Sequence, residues 1–223
     1  MLHKHHFLMN PAILEKVYVE QTYSHISDEF DKTRVSHWKG VKEFITSLQK
    51  DSLVLDAGCG NGKNMQIRSD LKYLGCDLCE NFAEICKRKG FDVIVSNIKS
   101  MPFDVNKFDA VMCIAVLHHI SSDEDRLLSL NELIRVLKPK GKLLFQVWAR
   151  EQELTKKFIQ INDNNDFFVT WTMKDSKDGE LSKRYYHLFS EKDIDSLVLQ
   201  LKNVKVINKT FEANNWCFVL EKL

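Results

Sequence analysis

Hydrophobic residues in the chain follow two alternating patterns. Short apolar runs containing β-branched residues predict strands, and apolar residues three and four positions apart predict amphipathic helices. The predicted strands are Ser52–Leu55, Lys72–Asp77, Phe91–Ser96, Phe108–Ile114 and Lys142–Trp148. The predicted helices are Ala12–Tyr23, Trp38–Leu48, Glu80–Arg88 and Leu127–Leu137. This alternation is typical of a parallel sheet with helices on both faces.

The end of the chain has a different pattern. Val204–Phe211 and Trp216–Leu220 predict two strands joined by a short polar turn. Adjacent strands with so short a connection must be antiparallel. Because no repeat or low-complexity block interrupts the chain, we expect one α/β domain over residues 1–223, with a mostly parallel sheet and an antiparallel terminal hairpin.

A glycine-rich segment follows the first predicted strand. Gly58, Gly60 and Gly62 allow a tight turn into a helix and let a ligand approach bare backbone. This spacing alone is weak evidence, because many such turns are only connections. Asp77 ends the second strand about 20 residues farther on, where doubly wound folds place a carboxylate for ribose hydroxyls. Alternatively, Asp77 caps the helix that starts near Glu80.

The negative charge of Asp56, which lies two residues before the first glycine, indicates which class of ligand the segment can bind. A carboxylate there would repel a pyrophosphate, which disfavours a nicotinamide dinucleotide and suits a cationic ligand with an amino group, such as S-adenosylmethionine. The segment Asp56-Ala57-Gly58-Cys59-Gly60-Asn61-Gly62 resembles motif I of class I methyltransferases. The resemblance implies their Rossmann-like, S-adenosylmethionine-dependent fold.

The same resemblance implies which residues hold the cofactor. The glycine segment would contact its amino-acid end, Asp77 its ribose, and Asn97 and Ile98 would lie near the adenine. The implied cofactor-binding residues are Asp56, Gly58, Cys59, Gly60, Asn61, Gly62, Asp77, Leu78, Asn97, Ile98 and Ile114.

Composition narrows the classes of partner only slightly. The net charge of +1 gives no electrostatic indication of a nucleic-acid partner, so any RNA-binding face must arise from folding. No segment resembles a transmembrane span, and the six scattered cysteines are expected to stay reduced. We therefore expect a cytoplasmic protein, with the nucleus as a second location, and no membrane partner. Cys76-x-x-Cys79 lacks a second such pair, so no metal is expected.

Candidate chemistry follows the fourth predicted strand, in Ile114-Ala115-Val116-Leu117-His118-His119. Two adjacent histidines cannot easily both face inward, so at least one should be exposed, and either could be catalytic, cap a helix or pack. The Asn/Asp-Pro-Pro-aromatic tetrad of methyltransferases that act on base amines is absent. Cys113 should point into the core, which leaves no nucleophile for attack on a pyrimidine ring. Oxygen methylation is therefore the better interpretation.

Motifs on both sides of this core resemble one family, the eukaryotic tRNA wobble-uridine carboxymethyl methyltransferases, including the methyltransferase part of their animal AlkB-type homologues. The resemblance extends from about Glu15 to Leu220. The motifs that carry it are Thr33-Arg34 with Trp38, Ala115-Val116-Leu117-His118-His119, Trp148-Ala149-Arg150-Glu151-Gln152 and Arg184-Tyr185-Tyr186-His187-Leu188. The chain departs from the family at His37, where a proline is usual, at Cys217, and in lacking a lysine-rich insertion.

The resemblance implies methyl transfer from S-adenosylmethionine to the carboxylate of 5-carboxymethyluridine in a tRNA anticodon, giving the methyl ester. A small-molecule O-methyltransferase of the same fold and a non-catalytic scaffold subunit are the alternatives. A carboxylate is already ionised at neutral pH and needs no general base. The enzyme must instead orient it towards the methyl group.

Arginine suits a carboxylate because its guanidinium can donate two parallel hydrogen bonds. Arg34 and Arg184 are therefore candidates for holding the substrate, with surface salt bridges as the alternative for each. His119 is a candidate for contact with the base or with the reacting end of the cofactor. If the arginines do not hold the carboxylate, His119 and Tyr186 are the next candidates. Tyr185, Tyr186 and Trp171 could stack on a flipped-out uridine or pack in the core.

The resemblance also implies two partners, a tRNA anticodon loop and a small zinc-binding activator subunit. In the sheet order 3-2-1-4-5-7-6, the predicted strand Phe91–Ser96 lies at an edge, without lysine or proline to protect it. The activator is expected there, with a helix of the same chain as the alternative cover. Residues 1–50 and 149–223 should then contribute to the substrate site, and residues 51–148 should bind the cofactor.

Overall fold

The computed structural model of the chain describes residues 10–172 and 181–223. Its strands are β1 (Leu53–Ala57), β2 (Lys72–Asp77), β3 (Val93–Val95), β4 (Phe108–Ile114), β5 (Leu137–Trp148), β6 (Phe158–Gln160), β7 (Asp166–Thr172), β8 (Leu181–His187), β9 (Val204–Glu212) and β10 (Asn215–Lys222). Seven of them form a sheet in the order β3-β2-β1-β4-β5-β10-β9, and β6-β7-β8 form a second sheet. The predicted sheet order is confirmed.

The first five strands in that order are parallel, and β10 is antiparallel to both β5 and β9. The predicted terminal hairpin is therefore confirmed. The smaller sheet is antiparallel throughout. It is joined to the large sheet where the backbone N–H of Phe189 donates to the carbonyl of Trp148 at 3.0 Å. This contact brings the end of β8 next to the carboxyl end of β5.

The helices are α1 (Pro11–Glu15), α2 (Thr22–Thr33), α3 (Lys39–Ser47), α4 (Glu80–Arg88), α5 (Asp123–Val136) and α6 (Glu191–Val198). A π-helical turn, Lys16–Gln21, joins α1 to α2 without a break in helical backbone conformation. We call residues 11–33 the N-terminal helix. In the described part of the chain, every helix is too short or too polar to cross a membrane.

The prediction that the first helix ends near Tyr23 is wrong, because the helix continues to Thr33. Ile26 is fully buried, and the ring of Phe30 lies 5.2 Å from that of Phe82 on α4. Tyr23, Ile26 and Phe30 have helical spacing, so tertiary packing on α4 continues the same apolar face.

The core has a layer on each face of the large sheet. Along β1, Leu55 belongs to the layer that α5 covers, and Val54 belongs to the layer that α3 covers. Cys113 of β4 is fully buried in the first of these layers, as the sequence predicts. Strands buried on both faces explain the nearly continuous apolar runs of β1 and β4.

The segments after β1 and before β5 also differ from the prediction. The glycine segment leads into a single 3-10 turn, Lys63–Gln66, and not into a longer helix. The connection to β2 is held instead by Arg68, which donates to the carbonyl of Leu48 at 2.7 Å and pairs with Asp70. In addition, β5 begins at Leu137 and not at the predicted Lys142. Pro139 is tolerated within this strand because the pairing of β5 with β4 is irregular there.

Candidate functional site

A cavity of about 720 Å³ opens where the parallel strands of the large sheet end. Its wall includes Gly58 after β1, Asp77 of β2, Ile114 of β4 and Trp148 of β5. The N-terminal helix lies over one side, and β8 closes another. Open α/β sheets bind ligands at this position, and the volume is in the range of small-molecule sites.

The glycine segment presents backbone to this cavity. Gly58 has φ +74°, and a Cβ built there would lie 2.3 Å from Cγ2 of Val116. The backbone N–H groups of Gly58 and Cys59 both donate to the carbonyl of Cys76, at 2.7 and 3.0 Å. The turn is therefore anchored to the end of β2, and its first position tolerates no side chain.

Asp77 joins the glycine segment to the start of α4. One carboxylate oxygen accepts from the backbone N–H of Gly60 at 2.8 Å, and the other accepts from Cys79 at 2.9 Å. Burial raises the pKa of the Asp77 carboxyl. Asp77 lies on the cavity wall and also bonds the N-cap residue of α4, so the predicted ligand role and the capping alternative are compatible.

Most of the predicted cofactor-binding residues lie on the cavity wall, and two do not. The residues on the wall are Gly58, Cys59, Gly60, Asn61, Asp77, Leu78, Asn97, Ile98 and Ile114. Gly62 packs away from the cavity, since a Cβ there would lie 2.9 Å from Sγ of Cys86. Asp56 is buried behind the segment, and its carboxylate has no hydrogen-bond partner within the described residues. Burial, with Asp77 nearby, raises the pKa of Asp56 to about 7.

Asn61 attaches the N-terminal helix to the glycine segment. Its side-chain amide donates to the carboxylate of Asp31 at 3.0 Å and to the carbonyl of Arg34 at 3.2 Å. Lys89 also donates to the Asp31 carboxylate and to the carbonyl of Asn61. These bonds fix the end of α2 and thereby place the Arg34 side chain on the cavity wall.

Arg34 and Arg184 converge in the cavity. The guanidinium carbon of Arg34 lies 4.8 Å from the ring centre of Trp171, and that of Arg184 lies 4.9 Å from the same centre. Arg184 is only 5% exposed, so the surface salt bridge is wrong for this residue. Among the described residues, no carboxylate pairs with either guanidinium. Two guanidinium groups near one aromatic ring, unpaired with any acid in the described part of the chain, are suited to bind an anion.

The prediction that at least one of the two histidines is exposed is wrong. His118 is 1% exposed and His119 is 9% exposed, because the 3-10 turn Leu117–His119 directs both rings inward. The ring of His118 stacks on Tyr186, and its Nδ1 accepts from the backbone N–H of Trp148. Burial lowers the pKa of His119 to about 3, so the ring is neutral at physiological pH.

Alternation along β8 separates the predicted aromatic candidates. Arg184 and Tyr186 lie on the cavity wall, whereas Tyr185 and His187 face the opposite side. The hydroxyl of Tyr185 donates to the carboxylate of Asp166 at 2.6 Å, and Nδ1 of His187 lies 2.8 Å from the same oxygen. Of the two alternatives for Tyr185, packing in the core is therefore confirmed.

Tyr23 is a residue of the cavity that the sequence did not single out. Its hydroxyl lies 3.0 Å from Nε2 of His119 and 3.2 Å from the hydroxyl of Tyr186. The helical spacing of Tyr23, Ile26 and Phe30 indicates that Tyr23 faces inward. Its partners lie on a distant turn and strand, however, and no local pattern reveals them.

A family model described as a methyltransferase domain matches residues 55–145. A Schizosaccharomyces pombe protein named tRNA (carboxymethyluridine(34)-5-O)-methyltransferase is 32% identical over 93% of this chain and 97% of its own length. A Xenopus tropicalis protein named tRNA (carboxymethyluridine(34)-5-O)-methyltransferase alkbh8 is 32% identical over 96% of this chain. The chain spans 42% of the length of this vertebrate relative.

Solved structures share the fold at low sequence identity. A Burkholderia thailandensis 1,6-didemethyltoxoflavin-N1-methyltransferase with bound S-adenosylhomocysteine is 16% identical, with a TM-score of 0.67 over 96% of this chain and 91% of that one. A complex of the Haloferax volcanii Trm112 methyltransferase activator with a putative methyltransferase gives 13% identity and a TM-score of 0.65, over 90% and 97%. These likenesses concern the fold alone.

Proposed function

Because the chain belongs to the family of tRNA (carboxymethyluridine(34)-5-O)-methyltransferases, we propose that it methylates the carboxylate of 5-carboxymethyluridine at the tRNA wobble position. The methyl donor is S-adenosylmethionine, and the product is the methyl ester. The names of the relatives do not favour a small-molecule O-methyltransferase or a non-catalytic scaffold.

The residues of the cavity fit S-adenosylmethionine. Asp77 offers a carboxylate to ribose hydroxyls, and Leu78 and Ile98 provide apolar wall beside it. The bare backbone of Gly58 and Gly60 suits the amino-acid end of the cofactor. When bound, the cofactor supplies an electrophilic methyl group on a positively charged sulfur.

The buried Arg184 guanidinium is the single observation that carries the substrate assignment. It lies on the cavity wall, and its neighbours are the rings of Trp171 and Tyr186 and the hydroxyl of Tyr23. Its Nε has no hydrogen-bond partner within the described residues. A buried, always charged group costs free energy unless an anion completes its hydrogen bonds. A substrate carboxylate meets this requirement.

Catalysis in this site rests on orientation. The substrate carboxylate is ionised at neutral pH and attacks through an oxygen lone pair, so no side chain has to remove a proton. His119 agrees with this mechanism, because both of its ring nitrogens are engaged within the protein, by Tyr23 and by the carbonyl of Tyr185. Arg184 and Arg34 hold the carboxylate, and the surrounding aromatic rings exclude water from it.

Methyl transfer into defined RNA tests this function. Purified protein, with and without a co-expressed activator, is incubated with labelled S-adenosylmethionine and tRNA carrying 5-carboxymethyluridine. The same tRNA with unmodified uridine and the free nucleoside serve as controls, and the products are identified by mass spectrometry of nucleosides. We expect the methyl ester in the modified tRNA alone. Methylation of the free nucleoside at a comparable rate would favour a small-molecule enzyme.

The β3 edge of the large sheet supports a proposed activator partner. Among the described residues, β3 pairs with β2 and with no second strand, and Val95 is 46% exposed. The opposite edge, β9, carries Lys205 and Lys209, which discourage strand addition there. The Haloferax volcanii complex contains an activator together with a methyltransferase of this fold. The small zinc-binding activator that the family resemblance implies is proposed to bind this chain at β3.

A further inference from the structure

The hydroxyl of Tyr23 lies where three parts of the molecule meet. Tyr23 belongs to α2, His119 to the 3-10 turn after β4, and Tyr186 and Arg184 to β8. The Tyr23 oxygen is 3.0 Å from Nε2 of His119, 3.2 Å from the Tyr186 hydroxyl and 3.5 Å from Nη1 of Arg184. Its ring packs between those of Phe30 and Phe82, at 5.7 and 6.1 Å.

Only one arrangement of protons satisfies these contacts. Nδ1 of His119 lies 2.8 Å from the backbone carbonyl of Tyr185, which can only accept, so this nitrogen carries the proton of the neutral ring. Nε2 is then an acceptor, and the Tyr23 hydroxyl donates its single proton to it. The Tyr186 hydroxyl must therefore donate to Tyr23, as does Arg184.

This chain of hydrogen bonds contains no acid. A carboxylate in the place of Tyr23 would neutralise Arg184 and compete with a bound anion for its N–H groups. A phenol oxygen accepts from Arg184 without supplying a negative charge. The chain ends on a backbone carbonyl, which is also neutral. The full positive charge of Arg184 therefore remains available to a ligand in the cavity.

We propose that Tyr23 is a positioning residue of the carboxylate site, which orients Arg184 while leaving its charge uncompensated. This inference rests on the proposed function, because it assigns the anion to the substrate. The hydroxyl also ties the N-terminal helix to β8 and to the 3-10 turn. Tyr23 thus connects the part of the wall that carries Arg34 to the part that carries Arg184.

Replacement of Tyr23 by Phe tests the role, because the ring and its packing on Phe30 and Phe82 are retained. Removing one hydrogen bond to a charged group should lower kcat/KM for modified tRNA roughly 10-fold. Cofactor affinity should stay within about twofold. Tyr73→Phe is a matched control, because it removes a buried hydroxyl that has no hydrogen-bond partner within the described residues. A loss for Tyr73→Phe as large as that for Tyr23→Phe would overturn the assignment.

Two further measurements separate positioning from a merely structural effect. Tyr23→Phe in an Arg184→Lys background should cost much less than in the wild type, because the two residues act as a unit. Fully additive losses would contradict the proposal. Nitrogen NMR of ring-labelled histidine should show His119 protonated at Nδ1, with the Nε2 resonance shifted in Tyr23→Phe. Protonation at Nε2 in the wild type would overturn the proton arrangement.

The wild-type protein must first methylate modified tRNA, and its failure to do so would count against the proposed function. The NMR result does not depend on activity and tests Tyr23 separately. Wild-type activity with an unchanged Tyr23→Phe variant would leave the function standing and remove Tyr23 from it.

Discussion

Arg34 and Arg184 lie over the ring of the same residue, with guanidinium carbons 4.8 and 4.9 Å from its centre. That residue is Trp171, the penultimate residue of β7. The two arginines come from opposite ends of the chain and share one small region of the cavity wall. Because the two positive charges repel each other, a bound anion between them would stabilise this arrangement electrostatically. The substrate carboxylate is the anion that we propose.

Lysine should substitute poorly for either arginine. A lysine ammonium keeps the charge but cannot donate two parallel hydrogen bonds. We expect Arg184→Lys to lower kcat/KM for modified tRNA by about 10- to 100-fold, with a smaller effect for the less buried Arg34→Lys. In cells, mass spectrometry of tRNA should show 5-carboxymethyluridine accumulating at the expense of its ester. Arg88→Lys on the exposed face of α4 is the control. Normal ester levels in both site variants would contradict the assignment.

Removal of the Asp77 carboxylate should weaken cofactor binding. Asp77→Ala leaves the ribose hydroxyls without a charged acceptor and the N–H groups of Gly60 and Cys79 without a partner. A loss of about 1.5–3 kcal/mol in binding free energy is expected by calorimetry. Asp104→Ala, at an exposed position, should bind the cofactor normally. Unchanged affinity in Asp77→Ala would remove Asp77 from the site.

Alanine variants of Gly58 and Gly90 distinguish the cost of backbone strain from the cost of a steric clash. Gly58 and Gly90 both have positive φ, but a Cβ at Gly90 meets nothing within 4 Å, whereas one at Gly58 meets Val116. Gly90→Ala should lose about 1–2 kcal/mol of stability from the left-handed conformation alone. Gly58→Ala should lose more in thermal unfolding and should also bind the cofactor weakly. Equal losses in the two variants would show that Val116 moves aside easily.

Two buried groups should shift stability with pH in opposite directions. The pKa of His119 is lowered to about 3 by burial, so the stability contributed by the neutral ring is present above pH 6.5 and is lost as the pH falls. At pH 5 this loss amounts to about 2 kcal/mol, and His119→Gln should not show it. The free energy of urea unfolding at pH 5 and pH 7, measured without cofactor, tests this difference.

Asp56 provides the opposite case. Its pKa is raised from 3.8 to about 7 by burial, so its contribution to stability is lost as the pH rises through this range. Asp56→Asn should therefore gain stability over the wild type between pH 5 and pH 7.5 in the same urea measurements. Parallel pH profiles for the wild type and this variant would mean that Asp56 is solvated or paired in solution.

The β3 edge should be sensitive to charge. Val95→Lys places a lysine on the exposed edge strand, where it should discourage the addition of a strand from a partner. We expect co-purification with a co-expressed activator to fall sharply. Val105→Lys, at a similarly exposed valine in a loop, should leave it unchanged. Retention of the partner by Val95→Lys would place the activator elsewhere on the molecule.

The positions of the glycine segment and of Asp77 at the cavity could be predicted from the sequence, because both follow from local patterns. The glycine segment and Asp77 each lie at the end of a short buried strand, and parallel strands bring such ends together. Asp56 and Gly62 were assigned together with this segment, but neither lies on the cavity wall. The burial of the Asp56 carboxylate and the close packing of Gly62 against Cys86 of α4 depend on tertiary structure, which no motif contains.

The substrate half could be predicted only in part. Arg34 and Arg184 were found by their chemistry, but their meeting at Trp171 depends on the docking of β7 and β8 against the N-terminal helix. Tyr23 was missed, and the choice between stacking and core packing was left open for Tyr185, because the face of a strand or helix that meets the cavity is set by long-range packing. The burial of both His118 and His119 was not predicted for the same reason, because long-range packing encloses the turn that carries them.

Periodicity and glycine placement therefore determined the alternation of strands and helices, and the motifs determined the family and, through that resemblance, the expected order of the sheet. Tertiary structure alone decided which side chains surround the buried guanidinium of Arg184 and that Tyr23, His119 and Tyr186 lie within hydrogen-bond distance of one another. The physical reason is that strand and turn preferences act over a few residues. Hydrogen bonds and charges in a cavity act through space, between residues that the chain brings together only when it folds.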